Sequence, residues 1–212
     1  PMTVTIRAHG DLTTDDHLPD GVRFNDITGM NYTIKSDDGS VTIAEASKVN
    51  ATNLTLMGAT GVNINVAITP QSLIIMGDTV ISGDIITDGD LCFGNAVTLA
   101  APVTVSSGSG LLEIKGAFNS STFNLTLRGA EINITPTGTL AGTGNLTVEP
   151  HAAGSNVVLG AASEDASAGL DFSNDELGRI ADGYASRTFG RADGTGQLSF
   201  ASPVTLPDPT TF

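Results

Sequence analysis

The chain has 212 residues, with 9 basic against 23 acidic side chains and a formal net charge of −14. So few cations over such a length cannot build the phosphate-neutralising stripe that nucleic acid needs, nor a polybasic membrane contact, which excludes both as partners. The lack of tryptophan, a 5% aromatic share and 25 glycines exclude a helical bundle and favour many short strands joined by tight corners.

No run approaches the roughly 18 apolar residues that span a bilayer, so no membrane insertion is expected. The single cysteine, Cys92, cannot form an internal disulfide, and its place in Leu91-Cys92-Phe93 predicts a small buried thiol. Because the chain opens on Pro1 rather than Met, it reads as a fragment or processed piece whose targeting signal lay upstream.

Residues 1–49 read as irregular first coils or a cap. Thr3-Val4-Thr5-Ile6-Arg7 is strand-like and is followed by an acidic loop containing Asp11, Asp15, Asp16 and Asp20. Two further strand-like runs, Tyr32–Lys35 and Ser40–Ile43, flank Asp37-Asp38-Gly39, a hairpin or corner signal.

From Ala51 to about Ala161 one phrase recurs: a short apolar-alternating run closed by glycine or proline. Anchored on Leu54, Leu73, Leu91, Leu112, Leu125 and Leu146, it returns at steps of 19, 18, 21, 13 and 21 residues. A β-run returning at about twenty residues is one coil of a β-solenoid. Alternation as in Asn124-Leu125-Thr126-Leu127 turns aliphatics inward and Thr/Asn outward. The leucines are expected to align in one internal ladder, with backbone pairing between coils at about 4.8 Å. The step of 13 marks either a shortened register or a misplaced anchor.

The predicted fold is all-β: a right-handed parallel β-helix of about seven to nine coils, with one short helix near the C-terminus. Coils cover 1–162, a helix-containing β module continuing the stack covers 163–202, and 203–212 is a linker or edge strand. In that module Leu170-Asp171-Phe172 reads as a strand and Ser173-Asn174-Asp175-Glu176 as a capping box. Leu177, Ile180 and Ala181 form the apolar face of a short helix that Gly183 ends. The prolines at 203, 207 and 209 exclude a central strand for the tail.

Leu170–Leu177, followed by Phe189-Gly190-Arg191-Ala192-Asp193-Gly194-Thr195-Gly196, resembles a module of giant bacterial surface proteins of the filamentous-haemagglutinin type. There a strand, a short helix and a glycine phrase punctuate β-helical arrays. The resemblance covers about forty residues of this chain. It implies a structural and adhesive segment of a large secreted or surface-displayed bacterial protein, located extracellularly or at the bacterial cell surface. Its implied partners are a host cell, surface or matrix glycan or protein, and neighbouring segments of the same polypeptide. A β-helical polysaccharide-active enzyme or tailspike-like module is the alternative, and a filament subunit joined end to end is the third reading.

No catalytic or cofactor-binding residue is assigned. The chain lacks a nucleophile elbow and a Walker sequence, and His9, His17 and His151 lack zinc spacing. The acidic loop of Asp11, Asp15, Asp16 and Asp20 holds the calcium candidates, against the plainer reading of a solvated loop, since the EF-hand order is absent. Asp84, Asp88 and Asp90 are the candidates for a carboxylate pair. Lys115 and Arg128, the basic residues between Ala51 and Pro150, are too few for a groove that holds an anionic sugar. Asn-x-Ser/Thr occurs at Asn31, Asn50, Asn53, Asn119, Asn124, Asn133 and Asn145, which the Asn/Thr-rich composition explains, with glycosylation as the alternative. Thr3 and Thr5 suggest an ice-binding ladder, but no threonine register recurs by sequence spacing.

Overall fold

Short runs of alternating aliphatic and Thr/Asn residues can bury only one face each, so they are stable as strands when stacked on copies of themselves. The computed structural model describes residues 3–14, 30–44, 51–162 and 169–212, and shows this arrangement. The strands stack, all in parallel, as a β-solenoid of about eight turns.

The first coil holds β1 (Thr3–Ala8) and β2 (Leu12–Thr14), the second β3 (Asn31–Ser36) and β4 (Ser40–Ile43), and the third β5 (Asn53–Gly58) and β6 (Gly61–Ile64). Three-strand coils follow. They are β7 (Ser72–Met76), β8 (Thr79–Ile81) and β9 (Ile85–Ile86); then β10 (Leu91–Phe93), β11 (Val97–Leu99) and β12 (Val103–Ser106). Next come β13 (Leu111–Ile114), β14 (Ala117–Asn119) and β15 (Leu125–Gly129), then β16 (Glu131–Ile134), β17 (Thr139–Ala141) and β18 (Asn145–Pro150). The C-terminal part contains β19 (Val157–Ala161), β20 (Leu170–Ser173), helix α1 (Asn174–Arg179), β21 (Ser186–Phe189), β22 (Leu198–Phe200) and β23 (Thr210–Thr211).

Three long sheets form the walls. The first runs β1-β3-β5-β7-β10-β13-β16, the second β2-β4-β6-β8-β11-β14-β17, and the third β9-β12-β15-β18-β21-β23. Asp37-Asp38-Gly39 is therefore a corner rather than a hairpin, because β3 and β4 pair with the coils above and below and not with each other.

The expected single leucine ladder is two ladders. Leu54, Leu73, Leu91 and Leu112 align in the first sheet, where Tyr32 precedes and Ile132 continues the column. Leu125 and Leu146 align with Val103 in the third sheet. The 13-residue step was thus a misplaced anchor that jumped from one wall to another. Every inward leucine of both columns is buried to 1% exposure or less, and Phe93 and Phe118 pack edge-on at 5.5 Å inside the channel.

Near the C-terminus chain order and stacking order part. β19 lies between β20 and β22, and β20 packs against β16 without forming a ladder with it. Side chains supply the missing ladder at β16. Glu176 Oε1 accepts the Ile134 N–H at 3.1 Å, and Arg179 Nη1 donates to the Ile134 carbonyl at 2.7 Å. Glu176 also completes the capping box, its Oε2 accepting the Ser173 N–H at 3.0 Å. The helix ends at Arg179, before Gly183, because Ile180 turns extended and bridges to Leu140 of the second wall. Leu177 and Ile180 are buried as the apolar face required, while Ala181 is exposed.

The tail does contain an edge strand, since β23 pairs with β21. It is held by an ion pair at the end of the core. Arg187 stands in the register of Leu146, an aliphatic position, and is fully buried. Its Nη2 lies 2.5 Å from Asp208 Oδ2 and 2.9 Å from the Ala181 carbonyl, and its guanidinium lies 5.9 Å from the centre of the Tyr184 ring. Asp208 also accepts the Gly183 and Tyr184 N–H groups, at 2.9 and 3.2 Å.

Candidate binding wall and axial cleft

Outward residues of one strand stand over outward residues of the next, so any side chain that recurs at one register becomes a column about 4.8 Å in pitch. On the third wall that residue is threonine: Thr104, Thr126, Thr147, Thr188 and Thr211 are in register across five strands. This corrects the expectation that no threonine register recurs. The step from Thr147 to Thr188 passes over β19, β20 and the helix, which hides the column from sequence spacing.

The column is flanked by ordered polar groups. On one side Asn124 Oδ1 accepts the Asn145 N–H at 3.0 Å, and Ser186 Oγ donates to Asn145 Oδ1 at 2.8 Å. On the other, Arg128 Nε donates to Glu149 Oε2 at 2.9 Å. Beyond that pair the corner between the third and first walls opens into a cleft of about 720 Å³ that crosses several coils. Gln71, Ile86, Asp88, Ser106, Arg128 and His151 line it. Gly108 makes its floor passable to the chain: its φ is +55°, and a Cβ there would meet Asp88 Cα at 2.7 Å.

The three carboxylates expected to come together are dispersed. Asp84 Oδ1 accepts the Thr104 N–H at 2.7 Å, and Asp90 Oδ1 accepts the Leu111 N–H at 2.9 Å. Each thus satisfies the backbone of the following coil at a corner. Only Asp88 lines the axial cleft, whereas Asp84 and Asp90 border separate, smaller hollows. Asp11 has the same corner role. Its Oδ1 accepts the Ser40 N–H at 2.8 Å and Oγ at 2.9 Å, and these bonds hold its carboxyl below the usual range. Asp15, Asp16 and Asp20, its proposed companions for calcium, lie outside the described residues, as does His17. Among the described residues no group of three or more His, Cys, Asp and Glu side chains could hold a metal ion.

His9 is exposed beside Asp38, 3.5 Å away, and His151 is exposed at the cleft. Lys115 pairs with Glu113 at 3.0 Å, so both cations of the middle coils are engaged by carboxylates. Cys92 is half-buried rather than buried. Leu91 and Phe93 take the inward positions, which turns the thiol outward between Ile74 and Glu113. Burial raises its pKa, Lys115 opposes the rise and Glu113 adds to it.

The sequons follow from the same alternation. Asn53-Leu54-Thr55, Asn124-Leu125-Thr126 and Asn145-Leu146-Thr147 place Asn and Thr outward around an inward leucine. Asn53 Nδ2 donates to Asn31 Oδ1 at 2.6 Å, and Asn119 Oδ1 accepts the Ser121 N–H at 2.8 Å. Asn133 faces outward on the first wall, and Asn50 lies outside the described residues.

Sequence reasoning missed the Arg187–Asp208 pair and the threonine column. Among the described residues no helix is long and apolar enough to cross a membrane. No protein-family profile, no curated protein and no solved structure matches the chain.

Proposed function

We propose that this chain is a structural and adhesive segment of a surface-displayed or secreted bacterial protein, serving as a stalk whose long wall contacts a cell, surface or matrix glycan. The observation that carries the reading is the threonine column of the third wall and the cleft beside it. Together they present a threonine hydroxyl column repeated along the axis, beside the amides of Asn124 and Asn145 and the Asp88 carboxylate of the cleft, groups that can hydrogen-bond the hydroxyls of a repetitive polyol ligand. The corner carboxylates fit the same reading, because Asp11, Asp84 and Asp90 are engaged in holding coils together. The filamentous-haemagglutinin resemblance of Leu170–Gly196 agrees with it.

The test is to add the purified chain to a panel of immobilised polysaccharides and cell-surface preparations, measuring both retention and release of new reducing ends. Saturable retention with no release is expected. Release of products that Asp88→Ala abolishes would replace the adhesive reading with a polysaccharide-active one.

A further inference from the structure

The middle of the first wall carries an apolar outer face. Ile74 and Met76 take outward positions of β7 and are 42% and 46% exposed. Half-buried Met57 stands beside Met76 on β5, and half-buried Cys92 beside Ile74 on β10. The outward residues of β5, β7 and β10 are all uncharged, in a chain whose net charge is −14. β7 and β10 are the fourth and fifth of seven strands, so coils stacked beyond either end of the sheet do not reach this face.

A hollow lies beside this ridge. Gly94 follows β10 at the position next to Met76, its N–H donating to the Ile75 carbonyl at 2.9 Å, and it has no side chain to cover the wall there. The following rung carries Glu113 and Lys115, and the space between them and Ile74 and Met76 is about 370 Å³. A ridge one rung from a hollow is self-complementary under a two-fold axis parallel to the strands and midway between β7 and β10. Under that axis β7 of each copy faces β10 of the other, and β5 faces β13. Met76 then meets the hollow over Gly94, Ile74 meets Cys92, and Met57 meets the aliphatic stem of Lys115. The Ser72 and Thr55 hydroxyls meet the Asp90 and Glu113 carboxylates, and no like charges of these four strands face each other.

We infer that the chain pairs side by side with a second copy through the first wall, the two solenoids antiparallel and Met76 of each seated over Gly94 of the other. The two surfaces are the same patch, so the contact closes at two copies. It goes beyond the adhesive reading, whose threonine column lies on the third wall, and it needs no external ligand. Six rungs at about 4.8 Å and five residues at about 3.3 Å cover roughly 500 Å² per copy, less than the about 800 Å² of a standard interface. The dimer is therefore weak, with a micromolar rather than nanomolar dissociation constant.

Sedimentation velocity on the full 212-residue chain, up to about 1 mM and at high salt, tests the inference, since salt screens the repulsion between two copies of charge −14. Growth should stop at the dimer. Ile74→Asp/Met76→Asp should raise the dissociation constant at least about 30-fold, because each substitution counts twice. Thr126→Ala/Thr147→Ala on the third wall should leave it within about twofold. The rate at which Cys92 reacts with a small thiol reagent should fall as the wild type dimerises and stay constant in Ile74→Asp/Met76→Asp. Circular dichroism checks folding, and Ile74→Ser/Met76→Ser replaces the aspartate variant if that one unfolds. A chain that stays monomeric to about 1 mM, growth past the dimer, a dimer that survives the substitutions at Ile74 and Met76, or a Cys92 rate unchanged by dimerisation would each overturn the inference.

Discussion

Asp208→Asn removes the negative charge of the buried ion pair, and one of its acceptor oxygens, while keeping its shape. The single amide oxygen can still accept the Gly183 N–H, but an NH2 donor replaces Oδ2, so the Tyr184 N–H loses its acceptor and Arg187 loses its counter-ion at a site with no solvent exposure. Removing one partner of such a pair leaves an uncompensated buried charge, at a cost of about 3–5 kcal/mol. The lower figure applies here, because Arg187 also donates to the Ile180 and Ala181 carbonyls. In a stacked fold this loss falls on the nearest rungs rather than on the whole chain. The assay is therefore amide hydrogen exchange of β21 and β23 at pH 7, where about 3 kcal/mol corresponds to roughly 100-fold lower protection. Arg187→Met/Asp208→Asn continues the apolar column of Val103, Leu125 and Leu146 and should restore most of that protection. Protection unchanged within about threefold in Asp208→Asn would refute the claim that the pair anchors the tail.

Burial alone raises the Asp208 carboxyl, but the Gly183 N–H, Asp182 and Arg187 together hold it below its ordinary 3.8. A depressed folded value means the contribution is complete above the ordinary carboxylate range and disappears as pH falls through the folded value. Protection of β21 and β23 should thus fall on acidification in the wild type and change less in Asp208→Asn. At the other end, bonds from Arg7 and Lys35 lower Asp37 to about 2, so a carboxyl NMR titration should place it there, and Arg7→Gln should raise it. Leu127→Ala empties a fully inward site and should cost about 2–5 kcal/mol in urea unfolding, whereas the outward Thr126→Ala should stay within about 0.5 kcal/mol. Glu176→Ala removes acceptors from both Ser173 and Ile134, and should cost about 2 kcal/mol and expose the Ile134 amide to exchange.

The solenoid was legible because strand alternation is local. Asn124-Leu125-Thr126-Leu127 states its own inside and outside, and a capping box at Ser173–Glu176 needs only four residues. Which wall each strand joins was not legible, since Leu112 and Leu125 belong to similar phrases and only the pairing separates them. The threonine column was hidden for a related reason: Thr147 and Thr188 become neighbours only because β19 and β20 stack on another wall. Cys92 misled because an apolar run suggests burial, although the middle residue of three on a strand must face away from its neighbours. Asp84, Asp88 and Asp90 looked like candidates for a carboxylate pair because the corner bonds that occupy Asp84 and Asp90 are made to residues about one coil away. Nothing near Arg187 in sequence announces a core arginine; its partner arrives on the proline-rich tail.

Retention of the labelled chain under flow on the immobilised surface that binds it best, compared with Thr126→Lys/Thr147→Lys, tests the adhesive wall most directly. The two lysines interrupt the centre of the column without touching the core, so folding and unfolding transitions should match the wild type while retention falls at least about tenfold. Unchanged retention by a folded Thr126→Lys/Thr147→Lys variant would contradict the account, because the column would then take no part in binding.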